Sequence, residues 1–202
     1  MLIKDKKLAF LDIETTGLSP FCGDRICEIA ILNCNGELIE NEFSSLVNPR
    51  IPISPGAYAV NRISQNMLKH APIFSELAPD IISLLKDRIV VCHNAAFDLG
   101  FLEHELDRID MEFPQISVVD TLSLARRYFN FSSNSLSHIA ASLGISLKES
   151  HRALSDTRTM YKVLMNFTQD LPGRGVNSLD EIFISWNTKK ENRKPEIERL
   201  AR

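Results

Sequence analysis

The first apolar run of the chain, Leu8-Ala9-Phe10-Leu11, reads as a buried strand. It leads into Asp12 and Glu14, two residues apart, which on a strand share one face. A Pro- and Gly-containing loop from Leu18 to Asp24 follows, and residues 25–33, with Ile26, Ile29, Ala30, Ile31 and Leu32, predict a second strand. Asn35-Gly36 is a hairpin turn into a third strand over 37–46, so the first three strands predict an antiparallel meander. The stretch from Asn48 to Gly56 carries three prolines and reads as a long irregular connection. Beyond it, 64–69 and 74–86 predict helices, the second with Leu77, Ile81, Leu84 and Leu85 on one stripe.

The second half alternates strand and helix signals. Ile89-Val90-Val91-Cys92 is a continuous apolar run expected of a strand covered on both faces, and after His93-Asn94 a helix begins near Ala96. On that helix Asp98 shares the apolar stripe of Phe101, Leu102 and Ile109, where it is either paired or exposed at the helix start. Residues 116–119 predict a further strand, with Asp120 as N-cap of a helix running through Phe129. Ser135 caps a helix bearing Leu136, Ile139, Ala140 and Leu143, closed by Gly144. The last long helix carries Ala153, Met160, Val163, Leu164 and Phe167 along one face, and Asp156 falls on that face. His151 belongs to the loop that enters it.

Leu171-Pro172-Gly173-Arg174-Gly175 breaks the chain, which suggests a main domain over 1–170 and an appendage over 171–202. In the appendage Ser178 to Glu181 has a capping-box pattern. It predicts a short amphipathic helix with Leu179, Ile182, Phe183 and Trp186 on one stripe, docked on its own domain or on a partner protein. The tail after Trp186 is polar and basic, and helix, disorder and a weak nucleic-acid contact all stay open for it.

Composition narrows the function. With 202 residues, 44% hydrophobic and 24% charged, the chain is an ordinary globular protein with a full core. No run reaches a bilayer-spanning length and the N-terminus lacks a secretion signal, so a cytoplasmic protein is expected. Cys22, Cys27, Cys34 and Cys92 show no metal-binding spacing, and reduced thiols are expected. A net charge of -3 argues against a broad basic footprint on duplex DNA, yet leaves room for a compact site that grips one strand end through metals.

Asp12 and Glu14 repel each other unless they face water at a sheet edge or a cation neutralises them. If the elements bearing Asp98 and Asp156 pack on the same sheet, four carboxylates converge. Such hard oxygen donors suit Mg²⁺ or Mn²⁺, and two ions roughly 3.5 to 4 Å apart can clamp the attacking and leaving oxygens of a phosphodiester. A histidine titrates near neutrality, so His151 is either the base that takes a proton from water or an ordinary surface residue.

FLDIETTG at 10–17, HNAAFDLGFL at 93–102 and HRALSDT at 151–157, in that order, resemble the three motifs of the DEDD-type 3′-to-5′ exonucleases. The histidine five residues before the last acid resembles the subgroup that uses His there. Proofreading epsilon subunits of bacterial DNA polymerase III and their stand-alone relatives share this pattern, and the likeness covers roughly residues 7–167. The resemblance implies an α/β, RNase H-like mixed sheet of about five strands flanked by helices. It implies Asp12, Glu14, Asp98 and Asp156 as ligands of two Mg²⁺ or Mn²⁺ ions, with His151 as general base. It also implies Thr15, Thr16, Gly17 and Leu18 against the terminal nucleotide, with Asn94 and Phe97 on the wall of the second motif. One departure lies in Val60-Asn61-Arg62-Ile63, where relatives commonly carry His; Asn61 retains the ability to hydrogen-bond a nucleotide. The expected activity is release of nucleoside 5′-monophosphates from single-stranded or frayed DNA 3′ ends, in proofreading or repair, with a DNA polymerase as partner through the C-terminal segment. An RNA-directed exoribonuclease and a non-catalytic polymerase-associated scaffold are the rivals.

Overall fold

β1 (Lys7–Thr15) is sandwiched between two apolar layers because its side chains alternate: Ala9, Leu11 and Ile13 enter one core, Leu8 and Phe10 the other. In the computed structural model, which describes residues 2–146 and 152–186, β1 is the third strand of a six-stranded mixed sheet. β2 (Ile26–Asn35) and β3 (Leu38–Leu46) extend it as the antiparallel meander expected from Asn35-Gly36, with Gly36 in the left-handed region at φ 56°. β4 (Ile89–Cys92) and β5 (Ile116–Asp120) run parallel on the other side of β1, giving the order β3-β2-β1-β4-β5-β6.

Parallel neighbours require crossovers, and these place the helices. α1 (Pro55–Asn61), α2 (Gln65–Leu68) and α3 (Phe74–Leu85) lie between β3 and β4, and α3 covers one sheet face with Phe74, Ala78, Ile81 and Leu85. α4 (Ala95–Asp107) joins it on that face through Leu99, Phe101, Leu102 and Leu106. α5 (Thr121–Tyr128), α6 (Leu136–Ser142) and α7 (Ala153–Asp170) cover the opposite face, where Met160, Val163, Leu164 and Phe167 of α7 meet Leu8 and Phe10. Phe10 also packs edge-on against Tyr161, with ring centroids 5.6 Å apart.

Two expectations are corrected. The connection after β3 contains α1, started by Ser54, whose hydroxyl accepts the Ala57 N–H at 3.1 Å, with Pro55 in the first turn, where a missing N–H costs nothing. The helix expected over Leu179 to Trp186 is instead a 3-10 turn, Leu179–Glu181, followed by β6 (Ile184–Trp186), which pairs antiparallel with β5. With β6 the mixed sheet, expected at about five strands, has six. An open β5 edge offers unpaired backbone groups that this short segment satisfies, which a helix there would leave unpaired. The apolar stripe faces inward, with Leu179 and Trp186 buried in opposite cores, so it packs on its own domain. The tail from Asn187 onward lies outside the described residues. No helix among the described residues is long and apolar enough to cross a membrane.

Phe10 pairs with Leu32 on one side and Val91 on the other and is fully buried. Phe10→Ala is expected to lower unfolding free energy by about 3 to 5 kcal/mol, read from urea denaturation.

Candidate active site

The even-numbered face of β1 runs Leu8, Phe10, Asp12, Glu14, so the acids continue the line of residues that α7 covers. α7 begins over this end of the strand, and its first turn carries Asp156. Carboxylate oxygens of Asp12, Glu14 and Asp156 all lie within 4.8 Å of one another, each side chain partly exposed. Asp98 reaches the same strand end from α4, on the other face of the sheet, and is buried. It stands outside the 4.8 Å group, yet its charge acts on Asp12 more strongly than that of any other acid.

The crowding shows in the protonation equilibria. Burial first, then the charges of Asp98, Asp156, Glu14 and Glu28, pushes the Asp12 carboxyl well above the usual range. Glu14 is pushed up to about 7 by burial and by Asp156 and Glu28, against the opposing effects of an Asn61 hydrogen bond and the Arg152 charge. Burial and the charge of Asp120 likewise raise Asp98. A divalent cation reverses this balance by stabilising the ionised forms. Carboxylate oxygens are hard donors that suit Mg²⁺ or Mn²⁺, so Asp12, Glu14 and Asp156 can hold such an ion.

Several residues that shape the site carried no distinct sequence signal. Glu28, opposite Glu14 in the β1–β2 register, is buried and accepts Arg152 Nη2 at 2.7 Å and Nε at 3.1 Å. Glu105 of α4 is buried too and takes the Arg25 guanidinium in a fork, Nε and Nη2 each at 2.6 Å. An acid inside an apolar run, as Glu28 is in ICEIAIL, is the one available hint. His93 bridges Thr121 Oγ1 and the Asn134 carbonyl, each at 2.9 Å, and burial lowers its pKa. Asp120 caps α5 as expected, accepting the N–H of Leu122 at 3.0 Å, and also accepts the Asn94 N–H at 3.0 Å.

The loop after β1 is built around Asp24. Its carboxylate accepts the Ser19 N–H at 3.0 Å and the Thr16 hydroxyl at 3.3 Å, and a Cβ on Gly17 would stand 2.3 Å from it. Thr15 and Thr16 are buried, while Leu18 is 86% exposed at the rim. Asn94 is exposed in a left-handed conformation at the head of α4, and Phe97 packs on Phe101, with centroids 4.9 Å apart. Asn61 is buried at the end of β1, where its side chain also hydrogen-bonds Glu14. Its Nδ2 donates to the Thr15 carbonyl at 3.3 Å and its Oδ1 accepts the Ile63 N–H at 3.0 Å, so it ties α1 to the end of β1. His151 lies outside the described residues.

Residues 9–164 match the family model described as Exonuclease. The DNA polymerase III PolC-type of Thermotoga maritima is 34% identical over 181 residues, which is 88% of this chain and 13% of that one. The PolC-type polymerase of Bacillus subtilis is 32% identical over 183 residues, 90% of this chain and 13% of its own. The chain thus spans about an eighth of the length of these relatives. Among solved structures, Exonuclease X in complex with 5′ overhanging duplex DNA matches at TM-score 0.66 and 26% identity, over 87% of this chain and 97% of that chain. The nuclease domain of 3′hExo, a DEDDh family member bound to rAMP, matches at TM-score 0.71 and 19% identity, over 85% and 95% of the two chains.

The raised Glu14 pKa has a thermodynamic consequence in metal-free protein. Between the ordinary value of 4.5 and about 7 the folded state binds more protons than the unfolded chain, so stability falls as pH rises through that window. In EDTA the melting temperature is expected to drop from pH 5 to pH 7.5, and Glu14→Gln to flatten that dependence. A melting temperature that instead rises across the window defeats the assignment.

Proposed function

The chain belongs to the exonuclease family, and on that premise we propose that it removes nucleoside 5′-monophosphates one at a time from single-stranded or frayed DNA 3′ ends. The observation that carries this reading is the meeting of Asp12, Glu14 and Asp156 within 4.8 Å on an RNase H-like sheet. With Asp98 they are proposed to hold two divalent cations, Mg²⁺ or Mn²⁺. When bound, the ions supply concentrated positive charge opposite the attacking and leaving oxygens of the phosphodiester.

The remaining roles fall to the chain itself. His151 is proposed to take a proton from the attacking water, and its place in the chain, five residues before Asp156, supports this. The exposed Leu18 is proposed to lie against the terminal base, with the Thr15-Thr16-Gly17 turn, Asn94 and Phe97 walling the nucleotide. The Exonuclease X complex contains DNA, which supports a DNA substrate here. Likeness to PolC-type polymerases supports a proofreading role beside a DNA polymerase, in the cytoplasm. Four free cysteines, three of them buried, accord with a reducing compartment.

End-labelled single-stranded DNA, mismatched duplex and matched RNA test the proposal. Mg²⁺- or Mn²⁺-dependent release of mononucleotides from DNA is expected, abolished by EDTA. Asp12→Ala and Glu14→Ala are each expected to lose at least ~10²-fold in rate. Activity that survives EDTA overturns the metal assignment, and a strong RNA preference overturns the DNA assignment.

A further inference from the structure

Glu28 is a fifth carboxylate at the acidic end of the sheet, directly across from Glu14 on the neighbouring strand. Paired cross-strand residues project to the same side, so Glu28 shares the face of Asp12 and Glu14. Its side chain is only 3% exposed, and a buried like charge beside Glu14 demands compensation. The compensation comes from the first residues of α7. Arg152 donates Nε to both Glu28 oxygens, at 3.1 and 3.2 Å, and Nη2 to Oε1 at 2.7 Å. The Ala153 N–H donates to Oε2 at 3.0 Å.

That last contact has a local reason. Arg152 occupies the N-cap position of α7, and the Ala153 N–H that follows is one of the helix amides with no acceptor inside the helix. Glu28 provides one from β2, together with negative charge at the positive end of the helix dipole. Three residues beyond Ala153, still in the first turn of α7, sits Asp156, within 4.8 Å of the β1 acids.

We propose that Glu28 and Arg152 form a positioning pair that fixes the first turn of α7, and with it Asp156, against the acidic end of β1. Glu28 is thereby a helix anchor and not a further metal ligand, because its two oxygens already accept the guanidinium and the Ala153 amide. A second ion pair on α7, between Arg158 and Glu42, lies on the exposed flank and provides an internal control: it fastens the same helix without touching its first turn.

The inference rests on the exonuclease reading, so the wild-type full chain is assayed beside its variants on single-stranded DNA with Mn²⁺. Glu28→Gln and Arg152→Gln change the site charge in opposite directions, so an electrostatic role predicts opposite effects and a positioning role predicts the same one. Expected are kcat losses of at least about fivefold in both, KM within about threefold, and Arg158→Gln within about twofold of wild type. The double variant is expected to fall no further than the worse single one, as for two halves of one device. Either single variant within fivefold of wild type, or titrations with Mn²⁺ alone that show its affinity raised by one variant and lowered by the other, overturns the pair. Circular dichroism checks folding. Should Glu28→Gln not fold, Arg152→Gln, at a side chain 42% exposed, decides by the same thresholds. A wild-type chain that releases nothing defeats the exonuclease reading, whereas active wild type with unchanged variants defeats the pair alone.

Discussion

Mutual repulsion among the acids at the end of β1 is the constraint the rest of the structure answers to. Asp12 and Glu14 are covalently bound to one face, and Asp156 is pressed to within 4.8 Å of both. Crowding and burial oppose the ionised form of this group, as the raised Asp12 and Glu14 carboxyls show. The work of holding it together is done elsewhere: two apolar layers clamp β1 through Leu8, Phe10, Ala9, Leu11 and Ile13, so the strand end stays where the cores put it.

Topology explains why acids from opposite layers meet. β1 and β4 are parallel, so the chain leaves β4 at the end of the sheet where Asp12 and Glu14 sit and turns at once into α4. Asp98 arrives from that layer and Asp156 from the other, at the start of α7. β2 then works as a hub. Its neighbourhood supplies Arg25 to Glu105 of α4 and Glu28 to Arg152 of α7, so both helices that carry acids are tied beside the same strand. In each pair the carboxylate is buried and the guanidinium partly exposed, so removing the arginine would strand a buried charge.

Much of this was legible in the sequence. The meander, the strand at Ile89, the cap at Asp120 and the stripe of α7 were all apparent from periodicity and turn chemistry. Asp98 and Asp156 stood out because a carboxylate on an apolar stripe is costly and local in its signature. Segments whose conformation depends on a distant partner were not legible. Spacing at 179–186 suits a helix, yet the open edge of β5 claims part of it as a strand. Asn61 has the chemistry of a polar contact, and only the folded chain shows that it bonds the Thr15 carbonyl and the Ile63 amide beside the acids.

By itself the sequence determined on which elements and faces Asp12, Glu14, Asp98 and Asp156 stand, since these follow from periods of 2 and 3.6 residues acting over short range. Tertiary structure alone decided which of them touch. It separated Asp98 from the close trio and turned Glu28 from one more acid into the anchor of α7. The physical reason is the same in each case. A charge or an unpaired amide finds its partner across 124 or 125 residues of chain, as Glu28 finds Arg152 and Ala153, and no local pattern records such a pairing before the sheet brings the two together.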